Sequence, residues 1–410
     1  MKKEILIEAR GELKRVAVLE DGRLMEIYYE SPERESLLGN IYKGVIRGVL
    51  SGLSSAFVDI GHSKPLFLSG KELDRELLRS RGIKVGARLA LPLPIGKVLR
   101  SGESLIVQVK RESIKSKNPQ GTMKISLPGR YWVFLPNDNR IRVSRRIGDE
   151  REIKRLRKIA KELKPKGGLI ARTASRHTPR EELERDFKQL HEVWKGIEAD
   201  ALKAPAPQLL YKSSDLIKSV VRDRLLKDVT KAIADSEQAY ASLLHWLEQM
   251  QMAEYKSKIE LYQGARPLFE LRGVESQLRE SLERAVSLPG GGSLVIEETE
   301  ALTAIDVNTG SDIRHRDQEK AILNTNLEAA LEIPRQLRLR KISGIIIIDF
   351  AGMKHKEHVR KVIKRLKEEL KKDRVSPDFI DVTGLGLVEL TRKREGESLA
   401  DMLGDELPEA

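Results

Sequence analysis

The sequence predicts a multidomain chain of mixed α+β and α/β character, with a small β-barrel near its start and an α/β layer at its end. Three observations carry this. The chain has 410 residues, more than one core of ordinary size accommodates, so roughly two to four domains are expected. Short alternating apolar and polar runs, punctuated by glycine, fill the segment up to about residue 112. Strand and helix periods then alternate through the last third, as they do where helices cover a sheet.

Residues 4–30, "EILIEARGELKRVAVLEDGRLMEIYYE", read as short strands with turns at Gly11 and Asp21-Gly22. Strand alternation continues through residues 39–73, with glycines at 39, 44, 48, 52 and 61, and again from residue 86, with Pro92 and Pro94 expected on an edge. Short, bent strands of this kind fit a barrel of the oligonucleotide-binding type. Strands at "ISLPGRYWVFLP" and "GGLIARTAS" flank a basic amphipathic helix, and a longer helix starts at Pro179. "APAPQLLY" reads as an extended linker, and helix and strand alternate again over 213–282. The last third opens on "LPGGGS". A hairpin turning at Thr299-Glu300 follows, then a long helix that Pro334 should kink or split, a buried strand "SGIIIIDFAG", a basic helix and a final strand pair.

Composition narrows the function classes. Lys plus Arg number 75 against 62 Asp plus Glu, a formal charge of +13, which favours polyanionic partners, nucleic acid first. The bland alternative is a highly charged surface laced with ion pairs. The longest aliphatic run is Ile345–Ile348, far short of the roughly 20 residues of a membrane span. "MKKEILIEARGELKR" has no sustained apolar segment, so neither a signal peptide nor a membrane span is expected. There is no cysteine. That excludes disulfides and thiolate metal sites and fits a cytoplasmic location.

The stretch "ALTAIDVNTG" starts as an apolar strand, then sets Asp306 and Asn308 two residues apart, on one face. Asp349 ends the run "IIIID". Sites in open sheets lie at the carboxyl ends of strands. If these strands are neighbours, two carboxylates and an amide oxygen converge, a hard-oxygen set that suits magnesium rather than zinc. An N-cap role for Asp349 and a turn role for Asn308 remain open beside that reading.

The motifs "PGGGSLVIEETEALTAIDVNTG", "NTNLEAALEIPRQLRLR" and "SGIIIIDFAGM" closely resemble the catalytic region of the bacterial ribonuclease E/G family. The resemblance continues upstream through "GNIYKGVI", "AFVDIG", "ISLPGRYWVFLP", "SRRIGD" and "ARTAS", so it covers residues 1–400 or so in order. It implies an RNase H-like scaffold from 1–35 and 218–281, with an S1 (OB-fold) RNA-binding barrel, 36–123, and a 5′-sensor subdomain, 124–217, inserted in it. A DNase I-like catalytic subdomain, 282–400, and an acidic tail, 401–410, follow.

The activity implied is a magnesium-dependent endoribonuclease. It would cut single-stranded A/U-rich RNA to leave 5′-phosphate and 3′-hydroxyl ends, in ribosomal and transfer RNA processing and messenger decay. By motif position Asp306 and Asp349 would hold magnesium, and Asn308 would position metal-bound groups or the scissile phosphate. Phe57 and Phe67 match base-stacking aromatics, although spacing alone favours core positions for both. Lys117 matches a basic RNA contact. Arg172 and Thr173 match residues gripping a 5′-monophosphate, with Val133 and Arg145 lining the same pocket. A surface arginine and a turn threonine are the bland alternatives.

Two departures matter. Many members carry a Cys-x-x-Cys-type zinc link between protomers, and no cysteine is available here. No zinc is therefore expected, and any homodimer must use another surface. A further family arginine near the sensor pocket aligns with Ser376, which implies weaker monophosphate selectivity. The competing function is a non-catalytic S1-type RNA-binding or ribosome-associated factor. A metal-dependent phosphatase or DNase is a third reading.

Overall fold

The computed structural model of the protein describes residues 2–31, 36–84, 93–112, 118–163, 165–213, 215–310, 318–394 and 397–403. Four sheets organise these residues.

The first sheet joins the start of the chain to its middle. Strands Lys3–Glu8, Lys14–Glu20 and Arg23–Glu30 form a meander. Asp21 (φ 49°) and Gly22 (φ 80°) make its tight turn, both in the left-handed region that a two-residue hairpin loop demands. Lys3–Glu8 also pairs in parallel with Val229–Ala234, which in turn pairs with Ile259–Leu261. Both faces are covered. Ile5 and Ile7 pack under the helices Leu216–Asp223 and Glu237–Gln249, while Leu6 faces Leu268 and Phe269 on the other side. This explains the near-continuous apolar runs in these strands.

Between these two halves of the sheet, strands Ile41–Leu50, Ser55–Asp59, Leu66–Ser69, Gln120–Thr122 and Ser104–Arg111 close into a five-stranded barrel. Ile41–Leu50 pairs on both of its sides and seals it. Two sequence expectations change here. Part of "APAPQLLY" is a strand, Gln208–Tyr211, added antiparallel to the outer edge at Ile41–Lys43. Pro94 caps a short helix, Ile95–Val98, instead of lying on an edge strand, because Ile95 and Val98 bury their side chains in the barrel core. Pro92 lies outside the described residues.

A third, four-stranded sheet is built from Leu127–Pro128, Trp132–Leu135, Gly168–Ala171 and Ile141–Val143. The helices Glu150–Glu162 and Arg180–Lys203 cover it, with Trp132 and Phe134 fully buried between. The first helix is capped by Asp149, whose carboxylate accepts from the backbone N–H of Arg151 and Glu152.

The fourth sheet runs Ala285–Ser287, Ser293–Glu298, Leu302–Asn308, Gly344–Asp349, Val388–Arg392, Asp378–Val382 in spatial order. Helices Gln318–Leu339 and Lys356–Leu370 cover one face only. "SGIIIID" is therefore not a strand buried on both sides. Ile346 and Ile348 enter the core, whereas Ile345 is 50% exposed on the open face. Nor does Pro334 split its helix, which runs unbroken from Gln318 to Leu339 with the proline buried. Core residues on both sides of it, Ala329, Ala330, Ile333 and Leu337, hold the segment against the roughly 3 kcal/mol an interior proline costs.

The C-terminal half of this helix docks on the first sheet. Arg338 Nη2 lies 2.8 Å from Glu26 Oε1, and Arg224 Nε lies 2.7 Å from Glu26 Oε2. Arg335 Nε donates to the Leu24 carbonyl at 2.9 Å. Burial works against the Glu26 charge, but Arg224 and Arg338 outweigh it and hold the carboxyl down at about 2. A carboxyl lowered in this way contributes stability above its ordinary range near 4.5, and that contribution is lost as pH falls toward 2. We expect Glu26→Gln to lose about 3–5 kcal/mol at pH 7, the usual effect of breaking a buried pair. In urea unfolding, the gap between variant and parent should narrow from pH 7 to pH 3; an unchanged gap would contradict the assignment.

Candidate functional site

Strand alternation decides which side chains reach the open face of the fourth sheet. Thr303, Ile305 and Val307 point into the core, so Ala304, Asp306 and Asn308 point out. In the neighbouring strand Ile346 and Ile348 point in and Asp349 points out. The two strands are parallel, and their register sets Asp306 directly beside Asp349. Neighbouring strands lie about 4.8 Å apart, so both carboxylates leave one face from adjoining positions. Both are exposed. Neither lies in a dry, desolvated strand mouth, and neither serves as a helix N-cap.

Asn308 completes the group. Its Nδ2 donates to Asp306 Oδ2 at 2.8 Å. An ionised carboxylate only accepts, so this contact fixes which end of the amide faces Asp306 and turns the Asn308 carbonyl oxygen elsewhere. The glycine run before the site has a steric reason. A Cβ on Gly292 would meet the backbone carbonyl oxygen of Asn308 at 2.8 Å and Thr325 Cγ2 at 2.6 Å. The preceding turn is held by Glu328, whose carboxylate accepts from the Gly290 N–H at 2.8 Å.

This donor set suits a hard divalent cation. It offers two carboxylates side by side on a solvent-open surface, which leaves most coordination positions to water or phosphate, as magnesium prefers. Among the described residues no group of three or more His, Cys, Asp or Glu is placed to hold a metal. Glu389 and Asp381 share the open face, but they sit opposite Ile347, one pleat away from the aspartate pair.

The barrel aromatics are outside the core. Phe57 and Phe67 pair across adjacent strands, with ring centroids 6.0 Å apart, edge to face. Their neighbours Ala56, Val58, Leu66 and Leu68 are the residues that fill the interior. Spacing alone favoured core positions, and the alternation of the strands places both rings on the half-exposed outer surface. Lys117 lies outside the described residues.

The four residues expected at a 5′-end pocket lie on the third sheet or just after its strands. Val133 lies on the outward side of its strand, between Pro128 and Ile170. The parallel strands Ile141–Val143 and Gly168–Ala171 end side by side, and Arg145 and Arg172-Thr173 follow directly. Hydroxyls of Ser144 and Thr173 meet at 3.1 Å across the two ends. Arg145 and Thr173 are exposed. Arg172 is not an idle surface arginine: it donates to Asp223 Oδ1 at 2.6 Å and to the Gly129 carbonyl. Burial disfavours the Asp223 charge, yet Arg222, Arg172 and Arg374 hold its carboxyl far below the usual range.

Arg374 went unnoticed in the sequence. Alignment pointed to Ser376, two positions on, but Ser376 accepts from Arg146 Nε at 3.1 Å. Arg374 instead lines a cavity of about 680 Å³ together with Arg222, Asp223, Glu26 and Arg338. No local motif marked it, because its partners come from distant segments. Neither Asp306 nor Asp349 lines this cavity.

Residues 126–395 match the sequence model of the Ribonuclease E/G family. The chain is 38% identical to Ribonuclease G of Escherichia coli over 409 residues, covering all of this chain and 83% of that protein. It is 36% identical to Ribonuclease G of Haemophilus influenzae, covering 99% of this chain and 82% of the relative. With Ribonuclease E of Nostoc the identity is 35%, over all of this chain and 58% of the relative.

The close approach at Gly292 gives a local test. Gly292→Ala should destabilise the fourth sheet by about 1–3 kcal/mol, as overpacking does. Thermal unfolding would show it, and an unchanged transition would mean that the strand end tolerates displacement.

Proposed function

The chain belongs to the ribonuclease E/G family, and from that premise we propose that it is a magnesium-dependent endoribonuclease. It cuts single-stranded A/U-rich RNA, leaves 5′-phosphate and 3′-hydroxyl ends, and favours 5′-monophosphorylated substrates. Its expected roles are ribosomal and transfer RNA processing and messenger decay. The observation that carries this reading is the register that sets Asp306 beside Asp349, with Asn308 on the same face.

Asp306 and Asp349 would hold the magnesium ion. When bound, it supplies charge neutralisation at the phosphodiester and a water of lowered pKa. In the cleavage, water oxygen forms the new bond to phosphorus, the bond to the 3′ oxygen breaks, and that oxygen takes up a proton. Asn308 donates to Asp306 and keeps that carboxylate in one rotamer, and the rest of its amide would position metal-bound groups or the scissile phosphate. The outer face of the barrel offers Phe57 and Phe67 as stacking surfaces for successive bases. Arg172, oriented by Asp223 and Gly129, would present its guanidinium edge to a terminal phosphate with Thr173 and Arg145 beside it, over Val133.

Asp306→Asn and Asp349→Asn should each lower cleavage of a 5′-monophosphate oligoribonucleotide by more than roughly 100-fold, beyond what loss of an outer-shell partner usually does. RNA binding should persist. Cleavage at the parental rate in either variant would refute the metal assignment, and binding without turnover in the parent would favour a non-catalytic RNA-binding factor. Phe57→Ala should weaken RNA binding by about 1–3 kcal/mol, the usual value of one stacked base. Filter binding at fixed salt measures it; no loss would remove the barrel face from the RNA path.

A further inference from the structure

Asp349 is the last residue of its strand, and the chain turns away from the sheet directly after it. No hydrogen bond to the Asp349 carboxylate is found among the described residues, so its position depends on how the following turn is held. The helix Gln318–Leu339 holds it twice. Asn326 is fully buried. Its Nδ2 donates to the Ala351 carbonyl at 2.8 Å, and its Oδ1 accepts from the Ala351 N–H at 3.0 Å. About two helical turns earlier, the Glu319 carboxylate accepts from the Lys354 N–H at 3.1 Å and meets His358 Nδ1 at 3.0 Å.

Asn326 satisfies both backbone groups of one residue, as a neighbouring strand would. A buried amide without partners is costly, so a helix position that served packing alone would be better filled by an apolar residue of similar size. A Cβ on Gly292 would meet both Thr325 Cγ2 and the Asn308 backbone carbonyl oxygen, so the residue before Asn326 lies close to the strand end that carries Asn308.

We infer that Asn326 is a positioning residue, which fixes the Asp349 carboxylate relative to Asp306 by clamping the backbone at Ala351. The inference rests on the reading of Asp306 and Asp349 as the metal-holding pair. It assigns no contact between Asn326 and metal or RNA.

The test uses full-length, metal-free protein titrated with Mn²⁺ and followed by electron paramagnetic resonance, with thermal unfolding and magnesium-dependent cleavage measured alongside. Asn326→Ala should weaken Mn²⁺ binding by roughly 10- to 100-fold, the range typical of losing an outer-shell partner. The magnesium needed for half-maximal cleavage should rise by a similar factor, and the KM for RNA should stay put. Asn326→Asp keeps the acceptor toward the Ala351 N–H and loses the donor. Its deficit in Mn²⁺ binding relative to the parent should shrink as pH falls, because the neutral acid regains an O–H to donate to the Ala351 carbonyl. A folded Asn326→Ala protein with parental Mn²⁺ affinity, in a background where Asp349→Asn abolishes binding, overturns the inference alone. Should Asn326→Ala fail to fold, a parental Mn²⁺ affinity of Asn326→Asp at every pH overturns it equally. Parental binding and cleavage by Asp349→Asn would instead bring down the reading beneath it.

Discussion

The parallel pairing of Leu302–Asn308 with Gly344–Asp349 is the constraint on which the rest of the molecule depends. Parallel neighbours cannot be joined by a tight turn, so the chain must leave the sheet and return through a crossover. The helix Gln318–Leu339 occupies that crossover and buries Ala329, Ala330, Ile333 and Leu337 against the sheet. Both strands then end on the same side, and their terminal carboxylates stand together. A slip of one residue in either strand would send one aspartate into the core face. The buried set Ile305, Val307, Ile346 and Ile348 makes that slip costly. The juxtaposition of Asp306 and Asp349 depends on this register more than on any single bond.

The same helix ties the site to the remainder of the protein. Toward its start, Thr325, Asn326 and Glu328 support the loops around the aspartate pair. Toward its end, Arg335 and Arg338 reach the strand Arg23–Glu30 of the first sheet. Buried polar contacts of this kind are informative because a half-satisfied network is destabilising. Those around Glu26 bring an arginine from after the helix Leu216–Asp223 to the same carboxylate. The loop after the basic helix makes a further link: Arg146, beside the expected phosphate-sensing residues, bonds to Ser376 Oγ and to the Lys371 carbonyl. The turn that follows the third sheet's strand Ile141–Val143 thus bonds directly to the loop after the helix Lys356–Leu370 of the fourth.

Much of this was legible without coordinates, and for identifiable reasons. The alternation in "ALTAIDVN" put Asp306 and Asn308 on one face before any partner strand was known, and "IIIID" put an acid at a strand end. Family motifs in order along the chain supplied the roles expected of Asp306, Asp349, Phe57, Arg172 and Thr173, while the pairing of the two strands stayed a condition that the structure supplies. Misreadings arose where a local rule met a tertiary environment. Pro334 signals a break by itself, yet burial on both sides keeps its helix whole. "SGIIIID" looks like a strand covered on both faces, but only one face meets helices, and the other stays open with Ile345 and Asp349 on it. Phe57 and Phe67 looked like barrel filling until alternating neighbours claimed the interior.

By itself, the sequence determined which residues could bear chemistry and the side of each strand they would occupy, since those properties follow from side-chain type and a period of two. Only the tertiary structure decided which distant groups meet. Asn326 clamps Ala351, Arg172 is oriented by Asp223, and Arg374 rather than Ser376 brings its charge to that cluster. Such pairs leave no periodic trace, because each is a contact between elements whose separation along the chain carries no information about their separation in space.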